Sequence, residues 1–416
     1  MLFSVGTDLI EIARIRKSLE NPRFGKRVFG ETEAARLAER GFSAESAAAA
    51  FCAKEAFSKA VGIGLGAFDL REVQLLHDKA TGKPELCLSG AALRLAGDSR
   101  FSVSVTHTAE YASAVVVREG KNAAPMPESE GLAFLRSVLK PRAAESNKGD
   151  YGRLLCVCGS EGMAGAASMS VGAALRCGAG LVEAALPKSI YPVVASRLAE
   201  PVFTLLHPLP DGSASPEDLR ALSQAVKRAS AVLVGCGLGK SAAACAEVKQ
   251  ILREAAVPVV LDADGINLAA EHIDVLRECG APLILTPHPG EMARLLGTTP
   301  HAVQAEREET ARRFAAEHGV ILVLKGAGTL VAAPDGRLYQ NTTGNPGMAK
   351  GGSGDVLAGM VASFAAQGAE LWSASAAAVY LHGLAGDRCA AKYSQCAMLP
   401  TELVGMLPEI FRELGR

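Results

Sequence analysis

The 416-residue chain is 49% hydrophobic and 21% charged, a composition that suits a globular protein of two or three domains with a sizeable core. Its 43 Lys and Arg stand against 44 Asp and Glu, so it lacks the basic excess of a nucleic-acid or anionic-membrane binder, and neither partner is expected. No uncharged apolar run is long enough to span a bilayer, and Asp8 interrupts the N-terminus before an apolar run forms, so neither a membrane span nor a secretory signal is expected.

The first element is a strand through "GTDLIEI", with Asp8 at its end. Residues 43–61 read as an alanine-rich helix with apolar positions at helical spacing. On it Lys54, Glu55 and Lys59 occur together; Glu55 and Lys59 are four apart and share a face, as a site pair or as an ordinary surface ion pair. "FSVSVTHT" and "YASAVVV" read as a hairpin or two neighbouring strands, with His107 at a strand end.

With "RFGKRVFGETE", "FCAKEAFSKAVG" and "TGKPELCLSG" between them, these motifs make residues 1–119 resemble holo-[acyl-carrier-protein] synthase. The resemblance implies an α+β phosphopantetheinyl transferase fold. It also implies that Asp8 and Glu55 hold Mg²⁺, as hard oxygen donors suit, with coenzyme A as phosphopantetheine donor and a serine of an acyl carrier protein as acceptor. Lys59 and His107 are candidates for contacting phosphate or for removing a proton through a water. The family forms trimers, so a homo-oligomer, a trimer or a multiple of it, is expected. Two departures touch nucleotide positioning: Ala50 stands where an arginine is common, and Ile63 interrupts the usual Gly-Thr-Gly. A trimerising or carrier-binding module without activity is the other reading of this part.

"REGKNAAPMPESEG" is polar, holds two prolines and lacks periodicity, which predicts a linker over 120–134 and a second domain over 135–416. There the strands "YGRLLCVCG", "SAVLVGCG", "VPVVLDADG", "APLILTPH" and "VILVLKG" alternate with alanine-rich helices, the pattern of an α/β fold with a mostly parallel sheet covered by helices. Ten cysteines without a C-x-x-C pair read as reduced, mostly buried residues of a cytoplasmic protein.

In "GMAKGGSGDVLAGMVASF" the glycines precede a lone carboxylate, Asp355, and then an apolar helix. A helix start offers unpaired N–H groups and a positive dipole end, and glycines let the chain approach an anion closely. A carboxylate there is placed to take a proton from a hydroxyl attacking a phosphoryl group, or simply to cap the helix. Asp262 and Asp264 either line the strand-end crevice or cap the next helix. Trp372 and Tyr380 read as helix core.

Six motifs in order, "NKGDYGRLLCVCGSEGMAGAASMSVGAALRCGAGLV", "VGCGLG", "LDADGINL", "LTPHPGEMARLL", "LKGAGT" and "NTTGNPGMAKGGSGDVLAG", make this domain similar to the ADP- or ATP-dependent NAD(P)H-hydrate dehydratases, whose fold is ribokinase-like. The resemblance implies that NADHX or NADPHX is phosphorylated on its ring hydroxyl, with ADP as donor, and then loses phosphate. It makes Asp355 the base and gives Gly354 the transferred phosphoryl. Lys325, Gly326, Ala327, Gly328 and Thr329 would bind the nucleotide. His288 would touch the hydrate, or serve only as a turn residue. Gly165, Ala166 and Gly239 would let the dinucleotide lie close. A kinase for a small alcohol or vitamin is the alternative for this domain.

Overall fold

The computed structural model describes residues 2–39, 41–78, 81–97, 99–120 and 129–416. The chain divides into two units, Met1–Glu128 and Ser129–Arg416. Of the stretch expected as a linker, 121–128 lies outside the described residues. Its end is helical: Glu130–Val138 forms a helix, capped by Ser129 and burying Leu132 and Leu135 in the second unit's core. The polar composition of the stretch hid the apolar face those leucines supply.

Among its described residues the first unit has five strands: β1 (Leu2–Glu11), β2 (Val73–His77), β3 (Pro84–Leu88), β4 (Arg100–His107) and β5 (Tyr111–Gly120). β1, β5 and β4 form an antiparallel sheet in that order, and β2 pairs with β3. The helix Ala44–Val61, capped by Ser43, packs Ala48, Cys52, Ala56 and Ala60 with Ala112, Ala114 and Val116 in one core. Small residues make this contact close. A Cβ on Gly6 would lie 1.9 Å from the Ala56 carbonyl oxygen, so only glycine lets β1 pass the helix here. Ala50, 2% exposed, belongs to the same core. Lys54 is fully buried, and its Nζ lies 2.6 Å from Glu33 Oε2 and donates to the Val73 carbonyl, tying the helix to β2.

The second unit has nine strands: β6 (Arg153–Val157), β7 (Leu181–Pro187), β8 (Val202–Leu206), β9 (Ala231–Val234), β10 (Val259–Leu261), β11 (Leu283–Leu285), β12 (Ile321–Leu324), β13 (Leu330–Ala332) and β14 (Leu338–Gln340). Their order is β14-β13-β12-β11-β10-β9-β6-β7-β8, parallel from β8 to β12, with β13 and β14 antiparallel. The continuous apolar runs follow from burial on both faces. Helices Ala164–Arg176, Ser353–Ala366 and Leu371–Tyr393 cover one face, and Pro216–Arg228, Ala242–Glu254, Pro289–Leu296 and Arg307–His318 the other. Trp372 and Tyr380 lie buried in the first of these layers, as read from the sequence. The strand order reverses between β6 and β9, and ligands of open α/β sheets bind at such a point, beyond the carboxyl ends of the strands.

Candidate functional site

The loops after β9, β10, β11 and β12 and the start of the helix Ser353–Ala366 bring together one cluster of polar side chains. Gly352, at φ 101°, turns the chain into that helix, and Asp355 falls in its first turn. Burial, and then the charge of Asp262, push the Asp355 carboxyl up to about 6. Asp262, at the end of β10, is 1% exposed. Its Oδ1 lies 2.7 Å from Lys325 Nζ and accepts the Thr286 hydroxyl at 2.6 Å, and its Oδ2 lies 3.5 Å from Cys236 Sγ. Lys325 also faces Glu291 Oε2 at 3.8 Å. Burial works against the Lys325 charge, but Asp262 and Glu291 outweigh it and hold the ammonium above its usual range. A Cβ on Gly354 would lie 3.3 Å from Lys325 Nζ, so Gly354, Lys325 and Asp355 share one space. The arrangement can hold an anion beside a base whose pKa is close to neutral.

The other C-terminal candidates are less uniform. Residues 325–329 form the hairpin loop between β12 and β13. His288 caps the helix Pro289–Leu296: its Nδ1 accepts the N–H groups of Gly290 at 2.9 Å and Glu291 at 3.3 Å, and its Nε2 faces Glu291 Oε1 at 3.3 Å. It is thus a turn-forming cap, half-exposed at the rim. Burial holds its pKa below the usual imidazole range. The Gly239 N–H donates to Asp264 Oδ2 at 2.8 Å, so that amide is already engaged within the protein. Ala166 is buried, and a side chain at Gly237 would meet its Cβ at 2.7 Å; its small size serves that packing. Gly165 has open space around its missing side chain. Asp262 and Asp264 flank Ala263, which takes φ 48° and ψ −113°, a strained backbone for an alanine that splays the two carboxylates to different partners.

Several neighbours carried no sequence signal. Arg307 donates to the carbonyls of Leu324, Lys325 and Gly328. His382 Nε2 lies 3.3 Å from the Ser353 hydroxyl, and its burial lowers its pKa to about 4. Asp387 accepts from Gly344 N–H and Asn345 Nδ2, both at 2.9 Å, and so orders the loop before the glycines. Each partner lies far off in sequence, beyond the reach of any local pattern. A groove of about 760 Å³, lined by Asp150, Ser230, Pro258, Pro282 and Gln367, lies at the amino ends of the strands, away from Asp355.

In the first unit, Asp8 lies within β1, which continues past it to Glu11. Its Oδ1 accepts Lys59 Nζ at 2.9 Å, and Lys59 also donates to the Thr7 carbonyl at 2.9 Å. Burial, then the neighbouring Asp8 charge, hold the Glu55 carboxyl above its usual range. The hydrogen bond to Asp8 holds the Lys59 ammonium up. Asp8, Glu55 and Lys59 therefore form one cluster. His107 does not join it through any hydrogen bond among the described residues; it ends β4 opposite Ala112 of β5, with β5 between it and β1. The Ile63 carbonyl accepts the Ser58 hydroxyl at 2.5 Å, which closes the turn after the helix.

Residues 154–409 match the NAD(P)H-hydrate dehydratase family, and residues 4–116 match the 4'-phosphopantetheinyl transferase superfamily. The chain is 44% identical over 282 residues to the bifunctional NAD(P)H-hydrate repair enzyme Nnr of Moorella thermoacetica, covering 68% of this chain and 53% of that protein. It is 42% identical over 254 residues to the ADP-dependent (S)-NAD(P)H-hydrate dehydratase of Neisseria meningitidis serogroup B, covering 60% and 81%. The chain spans about half the length of the bifunctional relatives it matches. The ADP/ATP-dependent NAD(P)H-hydrate dehydratase of Bacillus subtilis, co-crystallised with ATP and Mg²⁺, superposes with a TM-score of 0.57 at 31% identity, covering 67% of this chain and 95% of that one.

Proposed function

We propose a function from one premise: the chain belongs to the NAD(P)H-hydrate dehydratase family, which its residues 154–409 match. The second unit returns NADHX and NADPHX to NADH and NADPH, with ADP as phosphoryl donor and AMP and phosphate as products. The observation that carries this reading is Asp355, a carboxylate at a glycine-preceded helix start with its pKa pushed up to about 6. Such a group is mostly ionised at neutral pH yet basic enough to accept a proton. The ring hydroxyl attacks the terminal phosphorus of ADP, Asp355 takes its proton, and the bond to AMP breaks. The ring then loses a proton as the C–O bond to phosphate breaks, and the double bond returns. Lys325 neutralises charge on the transferred group, while Asp262 and Glu291 hold its ammonium in place.

The first unit transfers phosphopantetheine from coenzyme A to a serine of an acyl carrier protein, priming fatty acid synthesis. Asp8 and Glu55 present adjacent carboxylates, and their mutual repulsion fits a divalent cation such as Mg²⁺ between them. That ion would neutralise the pyrophosphate of coenzyme A. Lys59 holds Asp8 in place and meets phosphate; His107 acts only if the substrate reaches the end of β4. The outer sheet face exposes Val5, Leu9, Tyr111 and Val115, with Leu9 at 65%, which supports a homo-oligomer such as a trimer built through this face. Ten unpaired cysteines suit a reducing cytoplasm. No helix among the described residues is long and apolar enough to cross a membrane.

The test is product analysis with the purified chain. NADHX, ADP and Mg²⁺ should give the near-ultraviolet absorbance of reduced nicotinamide with one AMP and one phosphate per turnover. A stable phosphoester of a small alcohol, with no recovery of NADH, would replace this reading by a kinase.

A further inference from the structure

The loop 325–329 has an unusual hydrogen-bond balance. The carbonyls of Lys325, Gly326, Gly328 and Thr329 are taken, the last by the Asn341 N–H at 2.9 Å. Arg307 Nη1 donates to Lys325 O at 3.4 Å, and Nη2 to Leu324 O at 3.2 Å and Gly328 O at 3.4 Å. The Thr329 hydroxyl donates to Gly326 O at 2.9 Å. The N–H groups of Gly326, Ala327 and Gly328 have no acceptor among the described residues. In a planar trans peptide the N–H points opposite to the carbonyl. Arg307, holding Lys325 O, therefore turns the Gly326 N–H away from itself. Thr329, holding Gly326 O, does the same for the Ala327 N–H. Gly326 and Gly328, at φ 147° and 63°, allow the path. A Cβ on Gly326 would lie 2.5 Å from Arg307 Nη1, so a side chain at 326 would displace the guanidinium from its place behind the loop. Successive free amides in such a turn make a concavity for an anion.

We infer that Arg307 is the positioning residue of the nucleotide loop: by holding the carbonyls of residues 324, 325 and 328 behind the loop it fixes the loop's path and turns the Gly326 amide toward the phosphates of ADP, with the free amides of Ala327 and Gly328 beside it. The inference rests on the nucleotide-binding reading of this loop. Arg307 begins the helix Arg307–His318, so its position is fixed by the fold and not by the ligand. Burial works against its charge, holding its pKa below the usual arginine range, and the three carbonyl dipoles compensate for the lost water. A lysine places one charge in the same space but cannot reach three carbonyls with a planar fork.

The experiment compares the full-length wild type with Arg307→Lys, Arg307→Met and Lys325→Met. Calorimetric titration with ADP measures binding, steady-state kinetics separates kcat from the two KM values, and hydrogen–deuterium exchange reads the ligand-free loop. Both Arg307 variants should lose about tenfold or more in ADP affinity, as expected when supports of a site shift. Their KM for NADHX should stay unchanged, and without nucleotide the Lys325 amide, which bonds to Pro287 O at the start of the loop, and the Asn341 amide, which bonds to Thr329 O at its end, should exchange faster. Wild-type ADP affinity in Arg307→Lys, with loss only in Arg307→Met, would reduce the role to charge and overturn positioning. Unchanged exchange in both variants would overturn it as well. A wild type that binds no ADP, with loop exchange still dependent on Arg307, would instead remove the nucleotide reading.

Discussion

Replacing Asp355 by Asn should disable the second unit and stabilise it at once. The carboxyl's pKa goes from 3.8 to about 6, chiefly through burial and then through Asp262. A shift of about two units corresponds to roughly 3 kcal/mol against the charged form. The folded pKa is raised, so the sign follows directly. Below 3.8 the group is protonated both folded and unfolded, and it costs nothing. The cost grows between 3.8 and about 6 and is complete above that. Asparagine carries no charge and escapes it. Urea denaturation followed through Trp372 is the assay, because the chain's single tryptophan is buried in the second unit. The variant should gain about 2–3 kcal/mol near pH 8 and almost nothing near pH 4. Turnover of NADHX should fall by roughly 10²–10⁴, the range for removing a general base. A gain independent of pH, or a loss of stability near pH 8, would refute the account of a desolvated catalytic carboxylate.

Glu247, 5% exposed, is pushed up to about 7 by burial and then by Asp218. Glu247→Gln should therefore raise stability by about 3 kcal/mol above pH 7 and by nothing below the ordinary glutamate range, as read by the same denaturation. Ala263→Gly relieves a backbone at φ 48° and should add about 1 kcal/mol. Dehydratase activity should drop as Asp262 and Asp264 lose their fixed separation, so unchanged kinetics would remove any role for that strain. Asp8→Ala should abolish phosphopantetheine transfer, read by mass shift of the carrier protein, and leave NADHX dehydration in the same preparation at the wild-type rate.

Much of this molecule is legible in its sequence because its signals are local. The apolar runs before "VGCGLG", "LDADG" and "LKGAG" are buried strands. The glycines before Asp355 do start a helix, and Glu55 and Lys59 do share a face. The illegible parts depend on residues distant in the chain. Asp262 reads equally well as a cap until Lys325, 63 residues later, is seen to hold it. Arg307 looks like any exposed helical arginine until β12 and the loop after it fold back over it. Gly239 reads as a close-approach glycine, but its amide is satisfied by Asp264, 25 residues away. Ala50 looks like a lost arginine, yet its place in the helix is core, where an arginine would have to bury its charge.

The pairing of β1 with β5 has a consequence for how the chain is made. Leu2 sits opposite Gly120, so the first unit's sheet closes once about the first third of the chain exists. The second unit's site draws on Cys236, Asp262, Lys325 and Asp355 and stays incomplete until the last of these has left the ribosome. Domains fold as units from the N-terminus during synthesis, and non-local sheets form slowly. A ribosome stalled after the first unit would therefore release that unit folded, whereas one stalled shortly before residue 355 would release a second unit without its site.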